Sequence, residues 1–214
     1  MSGPGSHAFT VTGSETVYDG AIVALRRDQV TMPGGRTAER EVVEHLSAVV
    51  VLARDAQGRI AVINQYRHPV GRRLLELPAG LLDGGPGESP LAGAQRELAE
   101  EAGLAARRWH TLADLLSSPG FTDEALRVYL AEDLTEVPRS EVADEEADLT
   151  IDWLDPADAV AAVLAGEIVN ASAAAGILAL YAAEQSGAPL RSADAPWRDR
   201  STRFAARRES GEHP

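Results

Sequence analysis

The chain has 214 residues, of which 44% are hydrophobic and 25% charged, the balance of an ordinary globular protein. Its formal net charge of -13 argues against sequence-independent binding to nucleic acid, which normally needs a basic face. The absence of cysteine excludes disulfides, thiolate metal sites and a cysteine nucleophile. The opening residues lack the features of a signal peptide, and no apolar run approaches the roughly 20 residues of a membrane-spanning helix. We therefore expect a cytoplasmic protein that binds neither membranes nor nucleic acid.

The first 45 residues predict a small β subdomain whose first residues are flexible. Residues 15–32 mix β-branched and apolar side chains, as strands do, and PGG at 33–35 signals a turn. The segment EREVVEHL at 39–46 can return as a partner strand. Because so few strands are not stable alone, we expect this subdomain to pack on something else.

Residues 46–185 predict a single domain in which strands surround a central helix. The strand candidates are 46–55, 59–67, 72–78, 108–116, 125–134 and 149–154. Helices are expected from Pro156 and over 170–184. From Ser186 to residue 214 the chain becomes polar, and we expect a disordered tail.

The central helix is the best-marked element of the sequence. Ser89 is suited to cap its beginning, Pro90 to occupy its first position, and Gly103 to end it. Apolar residues such as Leu98 recur along one side at helical spacing. The segment RELAEEAG at 96–103 therefore forms its last two turns.

Three glutamates, Glu97, Glu100 and Glu101, project from these turns within an arc of about 100°. This arc borders the apolar stripe, so the carboxylates lie at the edge of the buried face. Converging carboxylates are costly there unless a cation lies among them, and Mg²⁺ is usually held by one or two carboxylates plus phosphates of the substrate. The pattern indicates a metal site in which Arg96 could orient the carboxylates; a solvated glutamate-rich face is the alternative.

The wider spacing resembles the Nudix box. Glu88, seven further residues and the segment 96–104 match its second part, whereas seven residues, rather than five, lie between Gly80 and Glu88. The chain thus resembles the Nudix hydrolases, and ELPAG (76–80), SPGFTDE (118–124) and GEIVNASAAAGILAL (166–180) are similar to the ADP-ribose pyrophosphatase branch. This resemblance implies an α+β Nudix fold, with a mixed β-sheet in an α/β/α sandwich and a small N-terminal β subdomain.

The resemblance also implies a metal site. Glu97 and Glu101 would ligate Mg²⁺, with Mn²⁺ as a substitute, and Glu100 would assist directly or through water. The main-chain carbonyl of Ala79 would be a further ligand.

A catalytic base is implied in the acidic segment DEEAD at 144–148. We prefer Glu145 and keep Glu146 as the near alternative. An ordinary solvated acidic turn is the competing interpretation.

Further residues are implied to contact the substrate. Arg67, in QYRHP, resembles a phosphate-gripping arginine, and Glu124 resembles a residue that contacts the ribose of the substrate. Gly120 could let the main chain approach the ligand closely. His45 and His68 have no pairing that suggests catalysis.

The implied reaction is hydrolysis of ADP-ribose to AMP and ribose 5-phosphate by a homodimer whose N-terminal subdomains pack across a two-fold axis. One alternative is the same chemistry on another nucleoside diphosphate sugar. A second is a Nudix fold that senses ADP-ribose without cleaving it, for which a broken box or a fused DNA-binding domain is expected.

Overall fold

A computed structural model describes residues 8–85, 87–139 and 149–210. They form two compact units, one of 8–47, 116–124 and 200–210 and the other of 48–85, 87–115, 125–139 and 149–199. The strands are β1 (Thr10–Asp19), β2 (Val23–Thr31), β3 (Thr37–His45), β4 (Ala48–Ala53), β5 (Ile60–Arg67), β6 (Arg72–Glu76), β7 (Ala79–Leu81), β8 (Leu104–Leu116), β9 (Ala125–Glu136), β10 (Thr150–Leu154) and β11 (Arg191–Ser192). The helices are α1 (Pro90–Ala102), α2 (Pro156–Ala165), α3 (Ala171–Ser186) and α4 (Arg203–Ser210), with a 3₁₀ turn at His68–Val70.

The first unit is built on the antiparallel sheet β1-β2-β3. The predicted turn joins β2 to β3, and Gly34 and Gly35 adopt the left-handed conformation there, which glycine tolerates best. β1 begins at Thr10, earlier than the sequence indicates, because it pairs along β2 as far as Thr31. Helix α4 packs on β3, and its Phe204 is fully buried.

The second unit is the α/β/α sandwich that the resemblance implies, and the predicted fold class is confirmed. Its larger sheet has the order β11-β8-β9-β4-β7, in which β4 and β9 run parallel. Alternate residues of these two strands face opposite sides, because strand side chains alternate. Val50 and Val128 pack in the core with Ile177 of α3, while Val51 packs in a second core with Leu98 of α1.

The segment after Ser186 differs from the predicted disordered tail, because its described residues include β11 and α4. In the second unit, the buried guanidinium of Arg127 donates to the carbonyl oxygens of Ala195 and Pro196 at 2.7 and 3.2 Å. It also lies 4.9 Å from the ring of Trp197. Long-range contacts of this kind give a defined structure to a polar segment that its composition alone predicts to be disordered. Within the described ranges, no helix combines the length and apolarity that crossing a membrane requires.

Helix α1 begins and ends as predicted. The Ser89 hydroxyl accepts a hydrogen bond from the amide of Ala92 at 3.1 Å, and Pro90 occupies the first turn. Gly103 has a φ of 62° and donates its amide to Ala99 at 3.0 Å, which closes the helix. The rigid helix end therefore sets where the three glutamates lie.

Candidate active site

The three glutamates of α1 have different environments. Glu97 and Glu101, one turn apart, are only 6% and 1% exposed, whereas the side chain of Glu100 is 34% exposed. A Glu101 carboxylate oxygen accepts the amide of Ala79 at 2.8 Å, which joins the helix to the start of β7. The structure thus places Glu101 in contact with Ala79, two of the four residues predicted to hold the metal, at the end of the helix that also carries Glu97 and Glu100.

Arg96 lies among the carboxylates, as the sequence predicts. Its Nε donates to Glu88 at 3.1 Å and its Nη1 to Glu100 at 3.1 Å, and it also bonds Glu97. Its Nη2 donates to the Leu81 carbonyl at 3.0 Å. Burial acts to lower the pKa of Arg96, but these carboxylates raise it above its ordinary value, so the guanidinium remains charged. Arg96 therefore partly compensates the negative charge and orients Glu97 and Glu100.

Glu97 is not fully compensated by Arg96. Burial raises the pKa of its carboxyl to about 7, even though Arg96 acts in the opposite direction. A buried carboxylate with this pKa needs further positive charge to stay ionised at neutral pH, and a divalent cation supplies such charge.

Gly80 explains how Glu97 fits against β7. A Cβ at this position would lie 2.0 Å from the carboxyl carbon of Glu97 and 2.2 Å from its Oε1, so only glycine leaves room for the carboxylate. The loop before α1 makes a similar approach at Gly84, where a Cβ would lie 2.3 Å from an oxygen of Glu88. Gly80 and Gly84 are thus tied to the placement of a carboxylate.

The donor set suits a hard divalent cation. Glu97, Glu100 and Glu101 present carboxylate oxygens, which Mg²⁺ prefers, at a rigid helix end beside Ala79. As they stand, no three acidic or histidine side chains of the described residues converge closely enough to enclose an ion. Glu97 and Glu100 are turned towards Arg96, and binding a cation requires them to exchange part of that contact.

Arg67 lies in the same unit and is held by a carboxylate that the sequence analysis missed. Its Nε and Nη2 donate to the two oxygens of Glu76 at 3.1 and 2.7 Å. Glu76 is buried, while the Arg67 side chain is 37% exposed. The alternation of β6, where Glu76 lies two residues after the buried Leu74, is the signal that could have placed this carboxylate inward.

Gly120 and Glu124 belong to the first unit. A Cβ at Gly120 would meet nothing within 4 Å, and the Glu124 carboxylate lies 3.7 Å from Nδ1 of His45. The same histidine nitrogen is 2.7 Å from the Leu46 carbonyl oxygen. Glu145 and Glu146, the candidate bases, lie outside the described residues.

The fold presents a carboxylate-rich helix whose oxygens are the kind of ligand that a divalent metal prefers. Residues 43–174 match the NUDIX domain, and residues 9–43 match the nucleoside diphosphate sugar hydrolase N-terminal domain. The chain therefore belongs to the Nudix hydrolases, enzymes that generally need a divalent metal ion.

Two relatives support this assignment, and one solved structure shares the fold. An ADP-ribose pyrophosphatase of Mycobacterium tuberculosis is 55% identical over 202 residues, which are 94% of this chain and 97% of that protein. An ADP-ribose pyrophosphatase of Bacillus subtilis is 35% identical over 75% of this chain and 85% of its own length. A solved structure of an ADP compounds hydrolase shares the fold with a TM-score of 0.72 at 20% identity, over 85% of this chain and 97% of that one.

Proposed function

We propose that the protein hydrolyses the pyrophosphate bond of ADP-ribose to AMP and ribose 5-phosphate, and that its metal is Mg²⁺. The observation that carries this proposal is the buried pair Glu97 and Glu101 beside Ala79 at the end of α1. The 55% identical relative, an ADP-ribose pyrophosphatase that matches nearly the whole chain, supports ADP-ribose as the substrate.

Two groups of residues are proposed to bind the diphosphate, the glutamates of α1 through the cation and Arg67 directly. Glu97 and Glu101 would hold the cation and Glu100 would assist; when bound there, the ion supplies charge neutralisation and polarisation at phosphorus. Arg67 presents a guanidinium whose orientation is set by its two hydrogen bonds to Glu76. A fixed guanidinium can match two phosphate oxygens at once, which lysine cannot do.

The proton acceptor is proposed in the acidic segment 144–148. Glu145, or else Glu146, would take the proton of the attacking water, a role that typically contributes about 10²–10⁴-fold in rate. Glu145→Gln and Glu146→Gln, measured side by side, identify the base as the variant with the large loss in kcat. Equal mild effects would exclude both.

The substrate is tested by incubating the protein and Mg²⁺ with ADP-ribose, ADP-glucose, GDP-mannose, NADH and diadenosine polyphosphates, and identifying the products. ADP-ribose should be cleaved with the highest kcat/KM, and Glu101→Gln should cut the rate by about 10²-fold or more with the fold retained. Near-normal activity of that variant would remove Glu101 as a ligand.

A second candidate is the same chemistry on another nucleoside diphosphate sugar. The match of residues 9–43 to the N-terminal domain of nucleoside diphosphate sugar hydrolases favours it. Preferred cleavage of ADP-glucose or GDP-mannose would replace ADP-ribose as the substrate. Binding of ADP-ribose without turnover of any compound would instead indicate a sensor, although every carboxylate of the box is present.

We also propose a homodimer formed through the first unit. Val11, Val17 and Tyr18 of β1 are all more than half exposed, which leaves apolar side chains accessible on a strand at the edge of its sheet. Light scattering in physiological salt should give twice the 22.7 kDa of one chain. A mass equal to one chain would refute the dimer.

A further inference from the structure

The loop 117–124 is anchored along strand β3. The Val43 amide donates to the carbonyl of Phe121 at 2.7 Å, and the Asp123 amide donates to the carbonyl of Val43 at 3.2 Å. The His45 amide also donates to a carboxylate oxygen of Asp123 at 3.0 Å. Because three hydrogen bonds join the loop to two alternate residues of one strand, the position of the loop follows the position of β3.

The other side of this loop is open. The Phe121 side chain is 58% exposed although its main chain is fixed, and the position of a Cβ on Gly120 has no neighbour within 4 Å. Glu124 ends the loop with its carboxylate 3.7 Å from His45. The loop therefore has one edge held by β3 and one edge accessible to a ligand.

Glu44, between the two anchoring residues of β3, is fully buried in a cluster of arginines. Arg203 and Arg207 of α4 both reach it: the Arg203 Nε lies 2.9 Å from Oε1, and Arg207 donates a hydrogen bond to Oε2. Arg26 of β2 lies 3.1 Å away through its Nε. Glu44 Oε1 has no hydrogen-bond partner among the described residues, so Arg26 and Arg203 approach it as ion pairs, and Arg207 provides the directional contact through Oε2.

A buried carboxylate is tolerated only while its partners compensate it. Removing Arg207 would leave Glu44 with two ion pairs but without its directional contact, and β3 would have to shift to expose or re-pair the carboxylate. Glu44 is flanked in sequence by Val43 and His45, which make the loop contacts, so any such shift reaches loop 117–124 directly.

We propose that Arg207 is a positioning residue through which the C-terminal helix α4, acting on Glu44 and strand β3, holds loop 117–124 in the shape that binds the sugar of the substrate. This inference rests on the proposed hydrolysis of ADP-ribose and on Glu124 as a sugar contact. It gives a role to the C-terminal segment, which lies outside the residues matched to the Nudix domain.

The test is Arg207→Ala in the full chain, with kcat and KM measured for ADP-ribose. KM should rise about 3- to 10-fold, which lies within the roughly 2- to 30-fold range of coupling through packed networks, while kcat stays within about twofold. Hydrogen exchange at the Val43 amide should accelerate, because its bond to Phe121 is loosened. Arg207→Lys keeps the positive charge but loses the planar guanidinium, and it should give a KM between those of the wild type and the alanine variant. This milder variant keeps the test valid if Arg207→Ala folds poorly.

The matched control is Arg208→Ala on the same helix. Arg208 bonds the Ala21 carbonyl and lies 5.9 Å from the Phe204 ring, but no contact to Glu44 is found among the described residues. KM should remain within about twofold of the wild-type value for this control. An equal rise in KM for both variants would overturn the proposal, because it would reflect a general loosening of α4.

A double-mutant cycle tests the route. Asp123→Ala removes the hydrogen bond to His45, one of the three that join the loop to β3. Adding Arg207→Ala should then raise KM by a smaller factor than Arg207→Ala does alone. An undiminished effect of Arg207→Ala in that background, or a wild-type KM for Arg207→Ala alone, would overturn the proposal. Turnover of ADP-ribose by the wild-type protein is measured first, so that a failure of the proposed function is distinguished from a failure of the role proposed for Arg207. If the wild-type protein cleaves another sugar nucleotide instead, KM is measured for that compound. If it cleaves none, the Kd for ADP-ribose is measured instead.

Discussion

Replacing Gly80 by alanine perturbs the proposed metal site by a single methyl group. The new Cβ would lie 2.0 Å from the carboxyl carbon of Glu97, whereas ordinary contact begins at 3.4 Å. The carboxylate would have to move by about 1.4 Å, which is the difference between these distances. Because this group is the far end of a flexible side chain and Gly80 has no positive φ, the fold can absorb the change.

A shift of this size is large for a magnesium ligand. Mg²⁺ demands near-ideal octahedral geometry with oxygens at about 2.0–2.1 Å, and a misplacement of about 1 Å can cost about 100-fold in rate. We therefore expect kcat/KM for ADP-ribose to fall about 100-fold and the half-saturating Mg²⁺ concentration to rise. The free energy of unfolding of the metal-free protein should change by less than about 1 kcal/mol.

The assay is the initial rate of AMP release across a Mg²⁺ titration, paired with urea unfolding in the presence of a chelator. Gly13→Ala is the control, because its Cβ would meet Gln29 at an ordinary 3.7 Å and its φ is not positive either. A wild-type Mg²⁺ dependence of Gly80→Ala would refute the reasoning. A loss of activity that accompanies a large loss of stability would also refute it, because the effect would then not be local to Glu97.

Two other predictions concern buried charges. In the metal-free protein, the pKa of Glu97 is raised from 4.5 to about 7, so the folded state keeps a proton that the unfolded chain releases. The stabilisation by this proton is fully present below pH 4.5. The free energy of unfolding should therefore fall by on the order of 3 kcal/mol as pH rises to about 7. Urea titrations of Glu97→Gln should lack this fall, and a variant with the same pH profile as the wild type would contradict the prediction. Arg127→Ala removes the donor that binds Asp114 and two carbonyl groups of the C-terminal segment, and should cost about 3 kcal/mol by the same method. A cost below about 1 kcal/mol would mean that Arg127 does not hold this segment.

The elements that the sequence predicts well are those with local chemical signals. Helix α1 is bounded by Ser89, Pro90 and Gly103, each of which acts on main-chain groups within four residues. Its buried stripe is equally local, because Ala94 and Leu98 recur at helical spacing and both are buried. The three glutamates could be placed on this helix from spacing alone, since helix geometry fixes their directions.

The C-terminal segment illustrates what the sequence could not show. Its polar, arginine-rich composition is typical of a disordered tail, yet Arg207 bonds Glu44 from 163 residues away. Arg127 orders Ala195 and Pro196 across 68 and 69 residues. These partners are fixed only when distant strands meet, and no local pattern reports them. For Glu76, the alternation of β6 indicates that the side chain is buried, but the identity of its partner Arg67 is fixed only when β5 and β6 pair.

The glutamates of α1 look equivalent in the sequence, but their environments assign them different roles. Glu101 is nearly fully buried and accepts the Ala79 amide, so in addition to its proposed role at the metal it holds the start of β7. Glu100 is a third exposed and bonds Arg96 from the solvent side, so it can adjust without disturbing the core. Replacing Glu101 should therefore impair both stability and activity, whereas replacing Glu100 should affect activity alone. A sequence pattern of acidic residues can therefore indicate a metal site, but the different roles of the individual glutamates depend on how the fold buries each of them.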